Sequence, residues 1–385
     1  MTCGEKVIYL PHNMRRISPY IHQNNHWPNF TWNNDELQLL LGAVRNLQGK
    51  LMGKMEAIGF NLKSEAVLQT LTLDVLKSTE IEGEILNADQ VRSSIARKLG
   101  MDISGLVPSD RNTDGMVDMM IDATQKFTDK LSKKRLFSWH AALFPLGKSG
   151  MYEINVAKWR TDSTGPMQVI SGAMGKEKVH FEAPHSDLLE PEMRAFITWF
   201  NTEKKLDPVI KAAVAHLWFI TIHPFDDGNG RIARALTDML LARSDESAQR
   251  FYSMSAQISK ERKQYYDILE KTQKGNLNIA EWLNWFLNCL HNSLKNTDEV
   301  LGKILLKSNF WKRHETTIFN KRQLQIVNKL LDGFEGKLTS SKWAKIGKCS
   351  GDTALRDIQD MVTKGVLKKE NAGGRSTNYE INFNF

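Results

Sequence analysis

One irregular segment of twelve residues constrains the fold of this chain more than any other feature. The segment, HPFDDGNGRIAR at 223–234, lies between two helical patterns, Pro208 to Ile222 and the periodic apolar run after Arg231. Proline suits the first turn of a helix, as Pro208 does here, whereas Pro224 forces the chain out of helical geometry after His223. The sequence therefore predicts a buried helix, a tight loop and a second helix.

The loop has the composition of a phosphate-binding site. Gly228 and Gly230 flank Asn229 directly before the second helix, so successive backbone N–H groups can face an anion at a helix N-terminus. Arg231 and Arg234 are three residues apart and share a helix face, where two guanidinium groups can bind neighbouring phosphates. We therefore expect a cradle for a polyphosphate here.

Two further residues of the loop can carry chemistry. The carboxylate of Asp227 precedes the cradle and can hold Mg²⁺ against the same phosphates. The imidazole of His223 titrates near neutrality and can take a proton from an incoming hydroxyl. Phe225 is expected to anchor the loop in the core. A lone glycine turn or a lone histidine would usually be structural, but this combination is hard to explain as packing.

The segment resembles the Fic signature, HxFx(D/E)GNGRxxR, and matches it at every defined position. The resemblance implies a mainly α-helical enzyme that moves AMP from ATP onto Ser, Thr or Tyr hydroxyls of proteins. It implies that His223 is the general base and Asp227 the Mg²⁺ ligand. It also implies that Gly228 to Arg231 hold the α- and β-phosphates and that Arg234 holds the γ-phosphate.

The resemblance extends to two other segments. Strand-like runs at Gln168 to Ile170 and Lys178 to Phe181 predict a β-hairpin, which is similar to the flap that aligns the target segment in this family. The implied nucleotide contacts are, in the flap, Val169, Ile170, Ser171 and Gly172 and, on the adenine side, Tyr265, Tyr266 and Gln273. Core packing in a helix is the alternative for the two tyrosines.

A motif near the N-terminus resembles a built-in inhibitor. Residues 78–83, STEIEG, are similar to the (S/T)xxxE(G/N) motif of regulated Fic proteins, with Ser78, Glu82 and Gly83 at the defined positions. The resemblance implies that Glu82 pairs with Arg234 and blocks the γ-phosphate, or that it positions a water that removes AMP from the target. The alternative is a solvated acidic helix end that contains Glu80, Glu82 and Glu84.

The sequence predicts a mainly α fold: a Fic-type helical core with a β-hairpin flap, followed by a winged helix-turn-helix. Helices are expected from Asn34 as cap, over about Ser64 to Lys77 with an end near STEIEGE and Gly83 as the stop, and over Gln90 to Leu99 with Gly100 at its end. We assign residues 1–105 to an N-terminal helical domain with the inhibitory motif, 106–295 to the catalytic domain and 300–385 to the winged helix.

The positive charge of the chain lies in its C-terminal part. Residues 301–385 contain 16 Lys and Arg against 8 Asp and Glu, whereas residues 1–300 contain 36 of each. A basic module of this kind is typical of binding to DNA or to a protein partner. The alternative is a basic surface that is only solvated. For DNA, the expected groove-facing residues are Ser350, Thr353 and Arg356, and the expected phosphate contacts are Lys368, Lys369 and Arg375.

Composition and resemblance set the remaining expectations. No window approaches the roughly 18 apolar residues of a membrane helix, and the N-terminus lacks the apolar core of a secretory signal, so we expect a cytoplasmic protein without membrane contact. The expected partners are ATP with Mg²⁺ and a protein substrate or the chain itself. By resemblance alone, a homodimer is expected, and another nucleotide such as UMP or GMP is an alternative to AMP.

Overall fold

The computed structural model describes residues 20–56, 60–101, 106–163, 165–171, 178–331, 336–370 and 377–383. The chain divides into two compact units, Met1–Lys295 and Asn296–Phe385. The predicted boundary between residues 105 and 106 lies inside the first unit and stays a prediction. Within the described ranges, no helix is both long and apolar enough to cross a membrane.

The first unit is mainly helical, in agreement with the predicted fold class. Its helices are α1 (Gln38–Glu56), α2 (Phe60–Ile81), α3 (Ala88–Lys98), α4 (Arg111–Gln125), α5 (Lys133–Leu143), α6 (Leu189–Thr202), α7 (Pro208–Ile222), α8 (Asn229–Ser244), α9 (Met254–Lys260), α10 (Arg262–Gln273) and the start of α11 (Ala280–Arg313). Two antiparallel hairpins lie between α5 and α6. They consist of β1 (Lys148–Ser149) with β2 (Tyr152–Glu153), and β3 (Gln168–Ser171) with β4 (Lys178–Glu182).

The central helix of this unit, α7, has the predicted bounds. Asp207 caps it, because its Oδ1 accepts hydrogen bonds from the N–H groups of Val209 at 2.8 Å and Ile210 at 3.4 Å. Pro208 occupies the first turn. All residues from Val209 to Ile222 are buried, as expected for a helix that is apolar on every side. The helix α7 packs along α8 and so fixes the loop between them.

The N-terminal helices begin and end at other residues than predicted. Asn34 does not cap α1, because its Oδ1 accepts a hydrogen bond from the indole Nε1 of Trp32 at 2.7 Å, and α1 begins at Gln38. The helix α2 begins before the predicted Ser64 and ends at Ile81, within the STEIEGE segment that was predicted to end it. Gly83, with a φ of +87°, follows its end, and this left-handed conformation favours glycine.

The hairpin β3–β4 confirms the predicted strands. Val169 pairs with Phe181 and Ile170 with Val179, with a bulge between Val169 and Ile170. Gly172, a predicted nucleotide contact, lies outside the described residues. The smaller hairpin β1–β2 was not expected from the sequence, which predicted helices there. Its strands have two residues each, too few to show the alternation that identifies a strand.

The second unit has the predicted order of three helices and two strands. The elements are α12 (Lys321–Leu331), α13 (Ser340–Gly347), α14 (Gly351–Thr363), β5 (Leu367–Lys369) and β6 (Tyr379–Ile381), and the two strands are antiparallel. Its core includes Val327, Trp343 and Met361, none of which is exposed. Assignment as a winged helix stays a prediction.

The structure changes the interpretation of the predicted DNA contacts. Ser350 caps α14, since its Oγ accepts a hydrogen bond from the Thr353 N–H at 3.3 Å and bonds the Thr353 hydroxyl at 2.9 Å. These two hydroxyls therefore stabilise the helix start. Arg356 and Lys369 are exposed, while Lys368 pairs with Glu380 at 3.1 Å. Arg375 lies outside the described residues.

Candidate active site

The loop between α7 and α8 is held in shape by its own side chains. Phe225 is fully buried, as predicted, and stacks flat on His140 with ring centroids 4.2 Å apart. The side-chain amide of Asn229 accepts a hydrogen bond from the Phe225 N–H at 3.0 Å and donates one to the Phe225 carbonyl at 2.8 Å. The side chain of Asn229 therefore shapes the loop.

His223 is the last residue before the loop and lines the cleft beside it. It ends α7 in a left-handed conformation with φ of 51°. Its Nδ1 lies 3.2 Å from the Ile220 carbonyl, which places the ring proton on Nδ1 and leaves Nε2 as the acceptor. Burial lowers the pKa of His223 to about 4, and the positive charge of Arg160 also lowers it. His223 is therefore neutral at neutral pH, as a general base must be.

Two glycines permit the close approach of other groups at the start of α8. Gly228 has a φ of +80°, and a Cβ added there would lie 2.9 Å from Cε2 of Phe144. A Cβ on Gly230 would lie 2.1 Å from Oε1 of Glu82. The left-handed conformation of Gly228 favours glycine, and a side chain at position 230 would displace the Glu82 carboxylate from the start of α8.

Asp227 lies in the wall of the same cleft. Its Oδ1 accepts a hydrogen bond from the Gly228 N–H at 2.5 Å, and its Oδ2 accepts one from the Ser149 hydroxyl of β1. Its backbone carbonyl lies 3.2 Å from Nε2 of His140. Among the described residues, no group of three or more His, Cys, Asp or Glu is arranged to hold a metal ion. A single carboxylate fits Mg²⁺ only when phosphate oxygens and water supply the other ligands.

Arg234 is buried against residues 78–83. Its Nε donates to the Ser78 hydroxyl at 2.8 Å, and its Nη2 donates to the Ser78 carbonyl and to Oε1 of Glu82, both at 2.7 Å. The side chain of Arg234 is only 2% exposed, whereas that of Glu82 is 29% exposed. Three bonds hold this guanidinium in one orientation.

Arg231 is also paired with a carboxylate of the same segment. Its Nη1 donates to Oε2 of Glu84 at 3.0 Å, and its Nη2 lies 3.6 Å from Oδ2 of Asp227. Its guanidinium also lies over the ring of Phe144, 5.0 Å from the centroid. From the sequence, Glu84 was expected only as part of a solvated helix end. Its bond with Arg231 was not predicted.

A cleft of about 910 Å³ brings most of the predicted site residues together. Its walls contain Glu82 but neither arginine of the signature, so the carboxylate lies between the cleft and Arg234. The predicted residues that line it are Val169, Ile170, Ser171, His223, Asp227, Asn229, Gly230, Tyr265, Tyr266 and Gln273.

The two tyrosines have different surroundings. Tyr265 is buried, and its hydroxyl lies 2.8 Å from Nε2 of His216, but the residue also lines the cleft, so both alternatives stay open for it. Tyr266 is 36% exposed, and its hydroxyl donates to the Ile81 carbonyl at 3.4 Å, so it contacts the end of α2. Gln273 is buried and donates to the Thr221 hydroxyl at 3.3 Å.

Sequence reasoning missed residues that hold the loop from outside. Arg160 donates from Nε to the His223 carbonyl at 2.8 Å and also donates to the Pro184 carbonyl. His140 and Ser149 contact Asp227, as described above. These residues lie 63 to 87 positions from His223 and Asp227, and a single sequence gives no signal for such pairings.

Two family descriptions match separate parts of the chain. Residues 130–241 match the Fic/DOC family, and residues 20–101 match a domain of unknown function, DUF4172. A probable protein adenylyltransferase of Aquifex aeolicus is 27% identical over 124 residues, which are 32% of this chain and 36% of that protein. The protein adenylyltransferase Fic of Drosophila grimshawi is 35% identical over 104 residues, 26% of this chain and 20% of that protein. The matches thus span well under half the length of these relatives.

A solved structure resembles most of the chain. A Fic family protein from Desulfovibrio desulfuricans superposes with a TM-score of 0.54 over 92% of this chain and 98% of that one, at 16% identity. At this identity the likeness shows the fold alone. The match to the Fic/DOC family covers residues 130–241, which contain the whole signature segment.

Proposed function

We propose that this chain is a protein adenylyltransferase that transfers AMP from ATP to a Ser, Thr or Tyr hydroxyl of a protein substrate or of itself. The observation that carries the proposal is a neutral His223 in the same cleft as the glycine-rich start of α8. The two signature arginines lie on the first turns of that helix. The names of the two relatives above support this reaction.

The proposed reaction is a substitution at the α-phosphorus of ATP. The hydroxyl oxygen forms a bond to this phosphorus while the bond to the bridging oxygen of pyrophosphate breaks, and Nε2 of His223 takes the hydroxyl proton. The backbone N–H groups at the start of α8 and the arginines would hold the phosphate chain. Asp227 would hold Mg²⁺, which neutralises phosphate charge when bound. Positioning and charge stabilisation then supply most of the catalysis.

We further propose that Glu82 keeps this activity low. The carboxylate of Glu82 already binds Nη2 of Arg234 at 2.7 Å, and a γ-phosphate would need the same guanidinium. The adjacent Ser78 hydroxyl and carbonyl add two further bonds to Arg234. The solvated helix end expected as an alternative is disfavoured for Glu82 by this pairing. Removal of AMP from a target by a Glu82-bound water is the competing role for the same residue.

ATP labelled on the α- or the γ-phosphate tests the reaction. The Glu82→Gly protein should label protein from α-labelled ATP only, and the Glu82→Gly, His223→Ala double variant should label none. Transfer from γ-labelled ATP alone would exclude AMP transfer, and parallel reactions with UTP and GTP would distinguish another nucleotide.

A second candidate function, DNA binding by the second unit, is favoured by its charge of 16 basic against 8 acidic residues over 301–385. The exposed Arg356 and Lys369 are the described candidates for phosphate contacts. A fragment of residues 296–385 should bind duplex DNA with an affinity that falls steeply between 50 and 200 mM salt. A protein-docking role would instead give no salt-sensitive DNA binding.

A further inference from the structure

Two carboxylates of the inhibitory segment, not one, face the start of α8. The chain turns back over the end of α2 through bonds from the Glu82 and Glu84 N–H groups to the Thr79 carbonyl, at 3.0 and 3.3 Å. Gly83 between them has a φ of +87°. This turn presents residues 82 and 84, on either side of the glycine, to the same neighbouring helix.

The partners of these carboxylates are matched in spacing. Arg231 and Arg234 lie three residues apart on α8 and therefore share a face. Oε1 of Glu82 lies 2.7 Å from Nη2 of Arg234, and Oε2 of Glu84 lies 3.0 Å from Nη1 of Arg231. Each guanidinium that would bind a phosphate is thus already bound to a carboxylate of the segment, and Arg231 also lies 3.6 Å from Oδ2 of Asp227.

Both arginines keep a donor for another acceptor. The side chain of Arg231 is 5% exposed and that of Arg234 is 2% exposed. Nε of Arg231 and Nη1 of Arg234 are buried and have no hydrogen-bond acceptor within the ranges that the structure describes. Buried donors normally have partners. The carboxylates therefore neutralise the charges without satisfying every N–H, as is expected of a substitute for a ligand with more oxygens.

The third acidic residue of the segment points elsewhere. Glu80 binds Nζ of Lys77 at 2.5 Å and accepts a hydrogen bond from the Ser259 hydroxyl at 3.2 Å. Neither partner belongs to the loop or to α8. Glu80 therefore provides a control of equal charge on the same segment.

We propose that Glu84 is a second inhibitory carboxylate, which competes with the phosphates of ATP for Arg231 while Glu82 occupies Arg234. This inference rests on the proposed function, because it assumes that the two arginines bind a nucleotide. The inhibitory segment then makes two contacts with the phosphate-binding arginines. Loss of Glu82 frees Arg234 from its carboxylate, while Arg231 stays bound to Glu84. The Glu84 side chain is 53% exposed, so its contact is the weaker of the two.

The experiment measures ATP binding by calorimetry in full-length protein that carries His223→Ala, so that no transfer takes place. Starting from Glu82→Gly in this background, Glu84→Gln should tighten ATP binding about two- to fivefold, the range expected for a partly exposed ion pair. Glu80→Gln, which removes the same charge, should leave the affinity within the error of measurement. Circular dichroism and thermal unfolding check that each variant is folded.

The outcomes separate this inference from the proposed function. Equal affinities of the Glu84→Gln and Glu80→Gln proteins would overturn the role of Glu84 while ATP binding itself stays intact. Absence of ATP binding in folded Glu82→Gly, His223→Ala protein would instead count against the proposed function. A gain from Glu84→Gln that exceeds the gain from Glu80→Gln supports the second carboxylate.

Discussion

The chemistry of this site depends on which anion binds each guanidinium. Arg234 is buried and cannot turn to solvent, so it must be satisfied either by the protein or by a ligand. Here Ser78 and Glu82 accept the hydrogen bonds of its Nε and Nη2. A nucleotide that needs Arg234 must therefore displace a charge-assisted bond from within the same chain.

Replacing Glu82 by glycine should raise AMP transfer about ten- to a hundredfold, because a hydrogen bond between charged groups contributes about 1.5 to 3 kcal/mol. Self-labelling with α-labelled ATP measures the effect. Glu80→Gly, with its partners outside the site, is the matched control. Equal labelling by folded wild-type and Glu82→Gly proteins would contradict the inhibitory role.

The pH dependence of the same variant should reflect a neutral His223. Burial and Arg160 lower the pKa of His223 to about 4, and removal of the negative Glu82 lowers it further. The imidazole is therefore unprotonated throughout pH 6 to 8, and the rate of transfer by the Glu82→Gly protein should not fall between pH 8 and pH 6. A fall with a midpoint near 6.5, the value of an unperturbed histidine, would show that the base is solvated.

At the scale of elements, two buried carboxylates, Asp74 and Asp238, lie between α2, which ends at Ile81, and α8, which begins at Asn229. Asp74 of α2 accepts hydrogen bonds from the Ser253 hydroxyl at 2.5 Å and the Ser255 N–H at 3.4 Å. Asp238 of α8 pairs with Arg250 at 3.0 Å. Burial, followed by the negative charge of Asp238, raises the pKa of Asp74 to about 8.

This raised pKa makes stability depend on pH. The unfolded chain releases the Asp74 proton near pH 4, whereas the folded chain keeps it up to about pH 8. The proton-linked stabilisation is therefore complete below pH 4 and is lost as pH rises to 8. Because Asp74→Asn cannot ionise, the melting temperature of the wild type should fall relative to this variant by a few degrees between pH 6 and pH 8.5. If the melting temperatures of the wild type and of Asp74→Asn change by the same amount across this pH range, the effect is excluded.

How much of the architecture could be predicted depends on whether the determinants were local. The bounds of α7 followed from Pro208 and a continuous apolar pattern, and the flap strands followed from local alternation. Asn34 was a plausible cap, but its Oδ1 accepts a hydrogen bond from the indole N–H of Trp32 instead. Glu84 lies 147 residues from Arg231. Its role needs the α2–α8 packing that no local pattern encodes.

At the scale of the whole molecule, the chain is two units with separate cores. The core of the second unit is built around Trp343, whose Nε1 donates to Asp357 at 3.4 Å. In the first unit, Phe200 is buried to the same degree. Independent cores favour independent unfolding.

Calorimetry should therefore show two unfolding transitions. Trp343→Ala should lower only one of them, and Phe200→Ala only the other, since large-to-small changes of buried aromatic residues cost about 3 to 5 kcal/mol. AMP transfer by the Trp343→Ala protein should persist below its first transition. A single transition that both variants shift together would show that the units unfold as one.

The attachment of Glu82 to the same chain as Arg234 has a consequence for control. If Glu82 inhibits as proposed above, diluting the protein should not relieve the inhibition, because a tethered competitor has a local concentration that the fold determines. The ATP of the proposed reaction would then compete with the same local concentration of Glu82 at every protein concentration. A partner that bends or unwinds the last turn of α2 would lower the local concentration directly. Such a partner would activate the chain without any change in the supply of ATP.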